Sequence, residues 1–270
     1  MRALISAAVM LLAAALPAAA QGAAPADVLN DLAPTGKLRA AINFGNGVLA
    51  QKGPNNEPKG ITPDLATALA KRLGVAVEFV TYEAAGKVFE GAKAGAWDIG
   101  FIAIEPVRAA EIEFTAPYVI IDGTYMVRKD SPLKEVEDVD KPGIKIAVGL
   151  GSAYDLYLTR TIKNATLVRA KVGGGSAMIQ MFVDDKLGAA AGVRQPLEAY
   201  AKDHSEMRVM KGAFQEIKQA MGMPKKNGVA GKAGAAYLAK FVEEMKASGF
   251  VADALKRSNQ VAQVAPAAPK

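Results

Sequence analysis

The sequence predicts an α/β protein whose strands lie mostly parallel, in sheet covered on both faces by helices. Three observations carry that reading. Short runs that are apolar throughout, Ile99–Ile104, Ile144–Val148 and Ala189–Val193, are too short for most helices and lack the alternation of a half-exposed strand. Longer segments between such runs repeat apolar residues at helical spacing, as in Leu65, Leu69 and Leu73. Glycine, proline and asparagine fall at the joints. A strand–helix–strand alternation closes through right-handed crossovers, which makes parallel sheet.

The elements follow in order. Leu38–Phe44 reads as the first strand, and Gly45–Gly60, carrying Gly, Pro and Asn, as a loop. Thr62–Leu73 is expected to be a helix with Thr62 as N-cap, Pro63 at N1, Asp64 at the positive end and Gly74 as the stop. Strand Val75–Thr81 and helix Val88–Ala94 lead to the buried run at Ile99. Glu113–Tyr118 then enters a β-rich run, Val119–Val127. Two turns, Asp130–Pro132 and Asp140–Gly143, bracket a charged stretch, so a crossing into a second lobe is placed at Thr124–Lys129. There, strand Ile144–Val148 meets the turn Gly149–Asp155. Gly173–Ser176 caps a helix over Ala177–Lys186, with Met178, Met181 and Phe182 inward as core. Arg194-Gln195-Pro196 opens a helix after Ala189–Val193. Strand Met207–Met210, the return Phe214–Met221, and helices Ala235–Lys246 and Val251–Arg257 complete the body.

The ends read differently. Arg2, the apolar stretch Ala3–Leu16 and Ala18-Ala19-Ala20 have the form of a cleaved signal peptide over residues 1–20. A membrane anchor is the competing reading, but the run is short and no basic cluster follows it. Residues 21–35 are expected to be a flexible lead-in. Asn259–Lys270, rich in Ala, Pro, Val and Gln, is expected to be a disordered tail.

Composition removes several function classes. The chain has no cysteine, so an exported fold must rest on burial rather than disulfides. Half of it is hydrophobic, which excludes disorder for the body. Its net charge of +6 is compatible with an anionic ligand, but no basic tract is interleaved with aromatics, so nucleic acid is not the expected partner. There is one histidine, His204, in a polar helix-end context, and no G-x-S-x-G or H-E-x-x-H motif; neither a metal nor a cofactor is expected.

Two places carry binding chemistry. Pro106 ends the buried run and Arg108 is the next charge after Glu105, just past a strand end, where open α/β sheets bind ligands. A guanidinium there can grip a carboxylate through two parallel hydrogen bonds, or can be a solvated arginine in the first turn of a short helix. The second place is Gly149-Leu150-Gly151-Ser152. Ser152 is a good N-cap with Asp155 three positions on, and the free N–H groups of such a junction bind anions. An ordinary capped helix is the competing reading. A dinucleotide site is not expected, since Tyr154 stands where the third glycine should be. Glu105 reads as the orienting partner of Arg108, with a general acid as the minority alternative.

From Gly36 to Ser258 the wording resembles the family-three solute-binding proteins of bacterial ABC importers, the polar amino-acid binders. The resemblance lies in Gly36-Lys37-Leu38-Arg39, Gly60–Leu65, Gly95-Ala96-Trp97-Asp98, the Ile104–Arg108 turn against the family's T-P-E-R, and Phe114-Thr115-Ala116-Pro117-Tyr118 against F-S-x-P-Y. It implies a type II periplasmic-binding-protein fold: residues 36–126 with 215–258 as one lobe, 127–214 as the other, two crossing segments, and a ligand held in the cleft by hinge closure. It implies a periplasmic, monomeric protein serving an ABC permease. Arg108 with Gly151 and Ser152 would clamp a carboxylate, and Asn43 and Phe44 match the loop that supplies a polar group and an aromatic lid. Departures are specific. Ala103 and Glu105 replace a hydroxyl residue and a threonine, and the aspartate that holds the ligand's α-ammonium is replaced by Gly192, with Arg194 and Gln195 next. Either Glu105 supplies that charge, or the ligand is no standard amino acid; a carboxylate-rich organic acid would suit Arg108 and Arg194 together. An exported dehydratase-like enzyme and a ligand sensor for a membrane receptor are the alternatives.

Overall fold

A computed structural model describes residues 24–269. The expected signal peptide at 1–20 lies outside the described residues. In chain order the elements are α1 (Ala26–Leu32), β1 (Lys37–Asn43), a small hairpin β2 (Gln51–Lys52) and β3 (Pro58–Lys59), α2 (Ile61–Leu73), β4 (Ala76–Tyr82), α3 (Ala85–Lys93), β5 (Ile99–Ala103), α4 (Pro106–Ala109) and β6 (Ile112–Arg128). Then come β7 (Lys145–Gly149), α5 (Ala153–Thr161), β8 (Thr166–Ala170), α6 (Gly174–Asp184), β9 (Ala189–Val193), α7 (Arg194–Asp203), β10 (Met207–Val209), β11 (Gln215–Pro224), α8 (Lys232–Ala247), α9 (Phe250–Arg257) and β12 (Gln263–Val264).

The main sheet has ten strands in the order β4-β1-β5-β11-β6-β9-β7-β8, with β10 and β12 also on β6. At one end β1 pairs parallel with β4 and β5; at the other β7 pairs parallel with β8 and β9. Between these halves β11 runs antiparallel to both β5 and β6, and β6 antiparallel to β9. Strands β6 and β11 are thus the two segments that pass from one parallel half to the other. The apolar runs behave as expected: every residue of β5 is buried, and so are Ala189–Gly192 of β9.

Helix α2 shows which end signals hold. Gly74 adopts the left-handed conformation that closes the helix, with its N–H on Ala70 and Lys71 carbonyls. Thr62 is not the N-cap. The helix begins a residue earlier, and the Thr62 hydroxyl instead donates to the Leu49 carbonyl, fastening the loop that precedes it.

Both expected flexible ends are corrected. The lead-in forms α1, which buries Val28 and Leu32. It packs closely on α8 because Gly234 has no side chain: a Cβ there would lie 2.6 Å from the Asp31 Cβ. The Asp31 carboxylate accepts from the Gly234 N–H at 2.9 Å. The tail forms β12, pairing with Val119 and Ile120 of β6, and Ala265 donates its N–H to the Tyr118 carbonyl. Lys246 donates from Nζ to the Pro266 carbonyl. A stretch of small apolar residues that reads as low complexity is also able to fill a strand position, and the open side of β6 supplies one.

Candidate functional site

The site forms where the ends of β5 and β7 face each other across β6 and β11. Strand β5 stops at Ala103 because Pro106 starts a single turn, α4, with Glu105 extended before it. That turn folds Arg108 back over the strand end. Its guanidinium is fully buried and donates from Nη1 to the Ala103 carbonyl and from Nη2 to the Gly151 carbonyl, each at 2.8 Å. The arginine therefore joins the two halves of the sheet. Its Nε has no hydrogen-bond partner among the described residues. Burial pushes the guanidinium down to about 10, with the nearby Glu105 charge working against the fall.

On the facing side, β7 ends in a turn whose Gly151 has φ of +70°, a conformation that favours glycine. Ser152 caps α5: its hydroxyl accepts from the Asp155 N–H at 3.0 Å. Asp155 in turn accepts from the Gly151 N–H at 2.8 Å and pairs with Arg169 at 2.8 Å. Part of the expected anion nest is thus filled by the protein's own carboxylate. The first-turn N–H groups of Ala153 and Tyr154 have no intrahelical acceptor and remain as the donors of this junction.

Between these elements is a cavity of about 60 Å³. Asn43, Asn46, Ala103, Arg108 and Gln219 line it from one side, Ser152, Tyr154, Lys171, Met178 and Gly192 from the other. Small residues let the sides meet. A Cβ on Gly86 of α3 would lie 3.0 Å from the Leu150 carbonyl oxygen, and one on Gly174 would lie 2.8 Å from Gly45 Cα.

Of the residues the sequence singled out, Asn43, Arg108 and Ser152 line the cavity, and Gly151 supplies the carbonyl that Arg108 grips. Four others are placed elsewhere. Glu105 is buried, but it is ion-paired with Arg160 of α5 at 2.7 Å and accepts from Gln215 at 2.8 Å, so it does not orient Arg108 through a direct contact. The Glu105–Arg160 approach also joins the two halves. Phe44 lies under the Lys52 ammonium, 5.2 Å from it. Arg194 pairs with Asp122 at 3.2 Å and donates to the Met210 and Gly212 carbonyls. Gln195 donates to the Val261 carbonyl at 2.6 Å, holding the C-terminal segment.

Sequence reasoning missed Gln219, Asn46 and Lys171. Gln219 is a polar residue at a buried position of β11, only 5 % exposed. The pairing register with β6 shifts beside it, between Gln219 and Ala220, opposite Pro117, which has no N–H to give. Among the described residues no His, Cys, Asp and Glu group could hold a metal ion, and no helix is long and apolar enough to cross a membrane.

Two parallel half-sheets, joined by two long antiparallel strands and meeting at a cavity by the strand ends, define a two-lobed binding protein of the type II periplasmic class. The chain belongs to the bacterial extracellular solute-binding proteins, family 3, which it matches over residues 49–259. No curated protein matches it. Solved structures with the same fold include a mutant of ArgBP from T. maritima (18 % identity, TM-score 0.72, covering 86 % of this chain and 99 % of that one). Another is the cysteine-binding protein from Campylobacter jejuni (19 %, 0.72, 88 % and 99 %). A third is the ancestral amino acid-binding protein AncCDT-1, described as a precursor of cyclohexadienyl dehydratase (24 %, 0.69, 85 % and 98 %).

Proposed function

We propose that this protein is the extracytoplasmic solute-binding subunit of an ABC importer, exported by a signal peptide at residues 1–20. It captures a small carboxylate-bearing ligand between its lobes by hinge closure and presents the closed form to a permease. The observation that carries this is Arg108: a buried guanidinium at the cavity wall, with one donor free and one hand on the opposite lobe. A carboxylate between Arg108 and the Ser152 junction would take donors from both lobes at once, so its binding energy would favour the closed arrangement. Asn43 and Gln219 would complete the polar contacts. Glu105, the candidate acid of a dehydratase, is tied to Arg160 and Gln215 outside the cavity lining, which favours binding over turnover.

A thermal-shift screen of the protein from Gln21 onward against amino acids and small organic acids tests the reading. A ligand at a hundred times its dissociation constant adds about 2.7 kcal/mol of stability. A shift with no turnover of the ligand, and pull-down of permease subunits by the liganded protein, are expected. Consumption of the ligand would replace the binding role with catalysis.

A further inference from the structure

We propose that the cleft selects a small apolar monocarboxylate that bears no ammonium group. This rests on the reading of the cleft as a carboxylate site and goes beyond it by naming the ligand class. The charges that line the cavity are Arg108 and Lys171, both positive; no Asp or Glu is among its described lining residues. The carboxylates nearby are all engaged: Glu105 with Arg160 and Gln215, Asp155 with Arg169 and the Gly151 N–H, and Asp122 with Arg194. A buried ammonium would find no counter-charge, and an unpaired buried charge is among the most costly arrangements in a protein.

The wall around Gly192 is apolar. An added Cβ on Gly192 would touch the Met178 methyl at 3.0 Å and Leu197 at 3.3 Å. Ile179 and Val193 continue that wall. The opposite end offers an acceptor's complement, since Arg108 Nε is a buried donor without a partner. A second carboxylate on the ligand is excluded from the reading as well. Arg194 does not line the cavity, and Lys171 is exposed, so its charge stays in water. A space of about 60 Å³ holds about four to six water-sized groups, the size of a carboxylate with a short chain.

Isothermal titration of the mature protein with straight-chain acids of three to six carbons, each beside its 2-amino acid and its amide, tests this. Arg108→Met is titrated in parallel. The acid of the fitting length is expected to bind at least about 100-fold more tightly than the matching 2-amino acid. The amides, and every ligand offered to Arg108→Met, are expected not to bind. A 2-amino acid that binds as tightly as its acid, and still requires Arg108, overturns the selection while leaving the carboxylate site in place. Binding of an amide as tight as its acid, or of no compound in the set, overturns both.

Discussion

Arg108→Met separates a ligand-holding arginine from a structural one, and the structure sets the size of the effect. A guanidinium pushed down to about 10 from its ordinary 12.5 is disfavoured in the folded protein by about 3 kcal/mol. Against that stand two charge-assisted hydrogen bonds, to Ala103 and Gly151, each contributing about 1.5 kcal/mol at the lower end of such bonds. The two sides nearly cancel. Methionine fills most of the arginine's space, so no large cavity adds to the balance. Without ligand the variant should therefore melt within about 5 °C of the parent, since 1 kcal/mol moves a protein of this size by about 2–4 °C. With ligand at a hundred times its dissociation constant, the parent should gain about 2.7 kcal/mol, or about 5–10 °C, and the variant nothing. Differential scanning fluorimetry reads both. A variant that loses more than about 4 kcal/mol without ligand would make Arg108 a structural pin, and one that gains as much as the parent on ligand addition would remove it from the site.

Four further outcomes are expected. Ligand affinity should be flat up to about pH 10 and fall by about tenfold per pH unit above it, because the Arg108 charge is complete below its folded value and lost as pH rises through it; the burial cost of that charge is relieved over the same range, so titration calorimetry from pH 8 to 11 should show affinity falling without unfolding, and a flat profile would refute it. Gly86→Ala should keep the ligand-free stability or raise it by about 1 kcal/mol of helix preference, yet weaken binding several-fold, since its Cβ would lie 3.0 Å from the Leu150 carbonyl oxygen with the lobes together as they stand here; tighter binding would refute the closure geometry. Arg160→Ala should loosen the lobes by about 1 kcal/mol, as Glu105 loses its partner across the cleft, and a larger radius of gyration by small-angle scattering checks it. Deleting residues 260–270 should cost about 2–3 kcal/mol by denaturant unfolding, through loss of the β12 pairing and the buried Ala265; an unchanged midpoint would show the segment to be dispensable.

Much of the fold could be read from residues. Ile99–Ala103 and Ala189–Gly192 are buried on both faces, as a run with no polar alternation requires, and Gly74 stops α2 through the one conformation that glycine takes easily. Arg108 and Ser152 could be found because their roles depend on local order: a proline ending a strand, a cap opening a helix. Arg194 and Gln195 follow a strand end in the same way, yet they turn outward to Asp122 and Val261. Strand periodicity does not say which partner lies beyond the last residue, and both partners come from distant parts of the chain. Gln219 escaped because its placement depends on a register shift opposite Pro117, a pairing more than a hundred residues away in sequence. The terminal segments escaped for a related reason: Val28, Leu32 and Ala265 are too few to form a pattern, and their burial is supplied by α8 and β6.

The position of β12 has a consequence for how molecules of this protein meet one another. Strand β6 has β11 and then β10 along one side, but β9 covers its other side only from Gly123 to Met126. Upstream of that lies backbone with open N–H and C=O groups in the middle of the sheet, flanked by Val119, Ile120 and Ile121. Such an edge is a template for a strand from another chain. Gln263 and Val264 occupy it at Ile120 and Val119. The C-terminal residues therefore act as a built-in cover against self-association, and a shortened chain would be expected to trade a small loss of stability for a larger tendency to aggregate.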